Sequence, residues 1–178
     1  MKTSLIKQLT LLFVAFVGVS SFAESPLISE IDCDFLTDTS RLENQTDVSV
    51  KLPNYVNLLK ESSRKFQCHE IKWNGEVFRS ARYKTKLPGA KGYHTAQILD
   101  VFRETASKYK LMFTFDGDDD YRDLWQEQQG HLVYRAQSQD EETSKWISTK
   151  GYTYNPLDKE FSDYLIYSEK HNWPKVMD

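Results

Sequence analysis

The clearest rhythm of apolar and polar positions lies between Cys68 and Lys84. The runs HEIKW and EVFRSARY flank Asn74-Gly75, and Asn-Gly supplies the positive φ angles that a two-residue type I′ hairpin turn needs. Counting outward from that turn sets Trp73 against Glu76, Ile71 against Phe78 and Glu70 against Arg79. Ile71, Trp73 and Phe78 then share one face, and Glu70–Arg79 is an opposite-charge pair on the other. Leu111, Phe113 and Phe115 alternate in the same way, and His131–Gln137 and Lys145–Tyr154 also read as strands.

Elsewhere the apolar positions follow a period of three to four, the spacing of a helix face. Residues 53–66 carry Tyr55, Val56 and Leu59 behind Leu52, with Pro53 suited to a first turn. Residues 95–109 place Ile98, Leu99, Phe102 and Ala106 together, and 118–129 place Tyr121, Leu124, Trp125 and Gln128 together. After Asn155-Pro156, Leu157, Phe161, Tyr164 and Leu165 form a fourth stripe. The segment Leu87–Tyr93 (LPGAKGY) reads as a loop. Hairpins mixed with helices predict an α+β fold, a single domain with a mainly antiparallel sheet of about five strands and helices on one face.

The first 23 residues stand apart. Lys2 and Lys7 precede an apolar run from Leu9 to Val19, and Ser21 and Ala23 sit at −3 and −1 of a cut before Glu24. That order is the pattern of a secretory signal peptide, and the run is shorter than the roughly 18–20 residues of a membrane span. The expectation is therefore a signal peptide at 1–23 and one exported domain at 24–178, periplasmic or secreted, without a membrane anchor. The 155 residues of that domain carry 21 basic and 26 acidic side chains. An acidic balance argues against nucleic acid as partner. The only cysteines, Cys33 and Cys68, are expected to pair in an oxidising compartment.

Chemistry is less legible. Asp116, Asp118, Asp119, Asp120, Asp123 and Glu127 form an acidic cluster, with Asp116, Asp118, Asp120 and Glu127 at positions 1, 3, 5 and 12 of a calcium loop. Position 6 is Tyr121 where that loop needs glycine, so no metal is expected and the acids read as a helix cap and solvated face. His69-Glu70 begins a zinc-protease pattern, but Trp73 stands where the second histidine belongs. Ser62-x-x-Lys65 and Ser107-x-x-Lys110 are patterns of common residues on charged segments. Val133–Ser138 (VYRAQS) resembles the arginine strand of toxin-type ADP-ribosyltransferases, yet no strand carrying a catalytic glutamate follows, so the likeness is set aside. No cofactor motif occurs.

Two functions remain. The first is a protein-binding module, such as a periplasmic inhibitor or immunity protein against an envelope-directed toxin or enzyme. Asp118, Asp119 and Asp120 would face a partner with a basic surface, and Tyr93 and Trp173 would supply aromatic contacts. The second is an exported hydrolase assembled from dispersed residues, His94 or His131 with Asp116.

Overall fold

Between Phe66 and Leu165 the described residues run strand after strand. The computed structural model describes residues 24–43, 52–61, 65–89, 92–117, 121–139 and 142–165. Among these residues nine strands occur in chain order: β1 (Leu27–Ile31), β2 (Phe66–Trp73), β3 (Glu76–Gly89), β4 (Gly92–Glu104), β5 (Tyr109–Gly117), β6 (Tyr121–Gln128), β7 (His131–Gln139), β8 (Trp146–Asn155) and β9 (Glu160–Leu165). The one α-helix among the described residues is α1 (Tyr55–Lys60), capped by the Asn54 side chain accepting from the Asn57 amide, and a 3-10 turn covers Cys33–Leu36. All strands pair antiparallel in a meander, as sheets β1-β2-β3-β4-β5 and β6-β7-β8-β9.

This corrects the α+β expectation. The hairpin at Asn74-Gly75 has the register counted from sequence, with φ of 47° and 76° at its two turn residues. Of the four expected helices, only part of 53–66 is one. Residues 95–109 fall mostly in β4, where Ile98, Asp100 and Phe102 are buried on one face and Leu99 and Val101 on the other. A strand covered on both faces reads as a continuous apolar run, which periodicity alone cannot separate from a buried helix. Residues 87–89 and 92–93 end and begin β3 and β4 rather than forming a loop.

The other two errors have local causes. In β6 the inward positions are Tyr121, Asp123 and Trp125, and the aspartate among them broke the apolar alternation. After Asn155 the chain turns instead of winding up. The Asn155 side chain accepts from the Leu157 amide, the Asp158 side chain accepts from the Glu160 amide, and Lys159 takes φ of 59°. Leu157, expected inside, is 91% exposed on that turn.

Two clusters make the core. Between the sheets, Ile71, Trp73, Phe78, Leu99, Val101, Phe113 and Phe115 meet Tyr121, Trp125, Leu132, Tyr134, Tyr152 and Tyr154. Phe113 stacks on Tyr152 at 3.9 Å between centroids, and Phe115 meets Tyr121 edge-on at 4.9 Å. On the outer face of the five-stranded sheet, Phe35, Leu36, Leu42 and Tyr55 cover Cys68, Ala81, Tyr83, Ile98, Phe102, Tyr109 and Leu111. A register shift between Val101 and Phe102 lets β5 serve both clusters: Tyr109 and Leu111 join the outer one, Phe113 and Phe115 the inner. Gly117 precedes the crossing to the second sheet. A Cβ there would lie 2.6 Å from Phe115 and 2.8 Å from Tyr121, so a side chain at this position would displace one of those rings.

The N-terminal segment is fastened at three points. Cys33 and Cys68 form the expected disulfide, Cα to Cα 5.5 Å. Arg41 and Glu43 exchange backbone hydrogen bonds with Tyr109 at 2.8 and 3.0 Å, which ties the segment to the first residue of β5. Asp100, 1% exposed, accepts from the hydroxyls of Tyr55 (2.5 Å), Tyr83 (3.1 Å) and Thr114 (2.7 Å). Burial raises the Asp100 pKa above its ordinary value, and the three hydroxyls only partly oppose that.

Candidate functional site

Among the described residues, β1 and β5 end the five-stranded sheet: the β5 edge meets residues 41–43 only at Tyr109, and β1 is exposed along nearly its whole length. Leu27 is 67% and Ile28 44% exposed. Beside this free edge, where the inner face of β1–β3 meets strand β6, lies a groove of about 350 Å³.

Strand register dictates what lines it. Glu30 on β1 pairs with His69 on β2, and His69 pairs with Ser80 on β3. Neighbours directly across a sheet project to the same side, with Cβ atoms about 4.5–5.5 Å apart. Glu30, His69 and Ser80 therefore form one row, and all three line the groove. Two residues along, on the same faces, Gln67 pairs with Arg82. Ile28 and Trp125 supply apolar walls. A second recess of about 330 Å³ shares Gln67 and Arg82 and continues to Lys65 and Lys84, so a basic end adjoins the end at Glu30.

Arg82 and Asp123 hold the two sheets together at the inner end. Arg82 Nη2 pairs with Asp123 Oδ2, the two side chains being 18% and 15% exposed. The other Asp123 oxygen accepts from the Tyr134 hydroxyl at 2.9 Å, and the guanidinium carbon sits 4.8 Å from the Tyr121 ring centre. Burial, reinforced by the Asp123 charge, pushes the Tyr134 and Tyr121 hydroxyls well above the ordinary tyrosine range. Both stay protonated at neutral pH, so Tyr134 remains a donor to Asp123. The Nε of Arg82 and the hydroxyl of Tyr121 are buried without a hydrogen-bond partner among the described residues.

The residues singled out from sequence are scattered. Asp116 is exposed near the end of β5. His131 starts β7, its Nδ1 lying 3.0 Å from the Gln129 carbonyl. They lie at opposite ends of β6, an eight-residue strand of roughly 25 Å at about 3.3 Å per residue. The structure does not bring this pair together. His94 and Tyr93 lie on β4 opposite Leu87 and Pro88, their side chains outside the description. Asp118, Asp119, Asp120 and Trp173, like the signal segment 1–23, lie outside the described residues. Of the acidic cluster, Asp123 turns inward to Arg82 and Glu127 accepts from the Gly130 amide at 2.6 Å. Among the described residues no group of three His, Cys, Asp or Glu side chains is placed to hold a metal, and no helix is long and apolar enough to cross a membrane.

Sequence reasoning missed Ser80, His69, Arg82 and Glu30. For three of them the signal was present: stepping the hairpin two pairs beyond Ile71–Phe78 sets His69 against Ser80, and two more set Gln67 against Arg82. Glu30 lies on β1, LISEI after Pro26, a five-residue run too short to show the alternation of a strand. Set against protein-family models, curated proteins and solved structures, the chain matches none, so its function must be read from the groove itself.

Proposed function

We propose that this chain is an exported protein-binding module that takes an extended segment of its partner along the free edge of β1, beside the groove. The observation that carries this reading is β1 itself: among the described residues no strand pairs along its outer side, and it presents Leu27 and Ile28 exposed. Native proteins blunt such edges with charge, proline or a covering segment, because an open edge templates another strand. Addition of a strand from a partner uses that edge, with backbone hydrogen bonds giving affinity and side-chain pockets giving selectivity. Here Ile28 would offer the apolar contact and Glu30 the charge, which favours a partner segment bearing Lys or Arg.

The Cys33–Cys68 disulfide fits an oxidising compartment, in keeping with residues 1–23 acting as an export signal. An inhibitor or immunity protein acting on an envelope enzyme is the form of binding module this reading favours.

The experiment places a photo-crosslinking amino acid at Ile28 and, in a second variant, at Leu157, a more exposed position on the β8–β9 turn. Both are expressed in the source cell and irradiated. The expected result is one discrete protein adduct from position 28, competed away by unlabelled wild type. No adduct at 28, or the same adducts from both positions, overturns the proposal.

A further inference from the structure

The row across β1, β2 and β3 has an order that strand addition does not use: an acid, a histidine and a serine, with the histidine in the middle. Glu30, His69 and Ser80 are direct cross-strand partners on one face and line the same groove. A nucleophilic hydrolase needs this arrangement: a hydroxyl beside a base, and the base beside a carboxylate that orients it. We infer that Ser80 is an acyl-accepting nucleophile, with His69 as its general base and Glu30 as the group that positions His69. The substrate class is an ester of a small apolar acyl group.

Two further features support this. Ser80 is 2% exposed and lines the groove. Ile28 and Trp125 give the acyl chain an apolar wall. No hydrogen bond joins the three side chains in this structure; catalytic bonds of this kind commonly tighten only when substrate is bound.

The step balances without an added reagent. Ser80 Oγ attacks the ester carbonyl carbon while His69 takes the hydroxyl proton. The carbon–oxygen bond to the alcohol breaks, and His69 returns the proton to the departing alkoxide. Water then attacks the acyl-serine, giving one proton to His69. The serine ester bond breaks, His69 reprotonates Ser80 Oγ, and a carboxylic acid leaves. This activity does not depend on a protein partner, so its test and the cross-linking at Ile28 succeed or fail separately.

The test is labelling of the disulfide-intact protein with an alkyl fluorophosphonate, read by intact mass and peptide mapping. The expected result is one adduct per chain at Ser80, absent in Ser80→Ala. The labelling rate should fall at least 100-fold in His69→Gln, the low end of what a positioned base contributes, and less in Glu30→Gln, with partial recovery in Glu30→Asp. Ser162, exposed on β9, is the control, and Ser162→Ala should label as wild type. If His69→Gln does not fold, the wild-type protein should still carry its adduct at Ser80 and none at Ser162. Absence of an adduct, or labelling of exposed serines at the same rate as Ser80, would each overturn the inference.

Discussion

Asp123 is the residue whose removal should most directly show what holds the groove in shape. In Asp123→Ala, Arg82 loses its partner across the sheets and the Tyr134 hydroxyl loses its acceptor. Breaking a fully buried ion pair from one side costs about 3–5 kcal/mol. With 18% and 15% of the two side chains exposed, water reaches part of the stranded charge and the cost falls to about 2–3 kcal/mol. The lost Tyr134 hydrogen bond adds about 1 kcal/mol. The sum, about 3–4 kcal/mol, corresponds to a fall of roughly 6–15 °C in Tm for a chain of this size. Asp123→Asn keeps an acceptor for Tyr134 and should cost about 1 kcal/mol less. The double variant Arg82→Leu/Asp123→Leu leaves no unpaired charge and should recover most of the loss. Urea unfolding of the disulfide-intact variants, with the single substitutions Arg82→Leu and Asp123→Leu added and tryptophan fluorescence as the readout, gives the full cycle. A coupling energy within about 0.5 kcal/mol of zero would mean that the pair does not clamp the sheets.

Three further outcomes follow from the scaffold. Asp100 has a raised pKa in the fold because of burial, so its stabilising contribution is complete below the unfolded value near 3.8 and is lost as pH rises through the folded one. Asp100→Asn should remove that dependence: unfolding free energies measured from pH 4 to 7 should show wild type losing stability relative to the variant, and a constant difference would contradict the assignment. Reducing Cys33–Cys68 frees a loop of about 36 residues and should cost about 4 kcal/mol on the chain-entropy model, read as a lower urea midpoint, with earliest exchange in α1 and the Cys33–Leu36 turn; an unchanged midpoint refutes it. Gly117→Ala forces a Cβ against two aromatic rings and should cost about 1–3 kcal/mol with altered near-ultraviolet dichroism; a neutral substitution would show that those rings move freely.

The hairpin was legible in the sequence because turn chemistry and alternation agreed within seventeen residues. The disulfide was legible from count and compartment. What failed was the assignment of β4 and β6. In β4 the run Ile98–Phe102 is buried on both sides, inward against the second sheet and outward against Tyr55 and Phe35, and nothing local reports that a strand will be covered twice. In β6 a charged residue occupies a core-facing position whose partner, Arg82, is 41 residues away. Mistaking these for helices also misplaced the acids: carboxylates assigned to a helix cap include one clamped inside the molecule. The groove inherits the same difficulty. His69 and Ser80 come from a hairpin that sequence reveals, but Glu30 joins them only through the pairing of β1 with β2, a contact set up across about 40 residues and anchored by the disulfide.

Amide hydrogen exchange on the disulfide-intact protein, alone and bound to the partner captured at position 28, reads whether β1 takes up a partner strand. New protection is expected in residues 27–31 and in the groove-lining stretches 67–69 and 121–125, with the β8–β9 turn at 156–159 unchanged. Protection centred on that turn, or on 142–145, with the β1 edge exchanging as before, would contradict it.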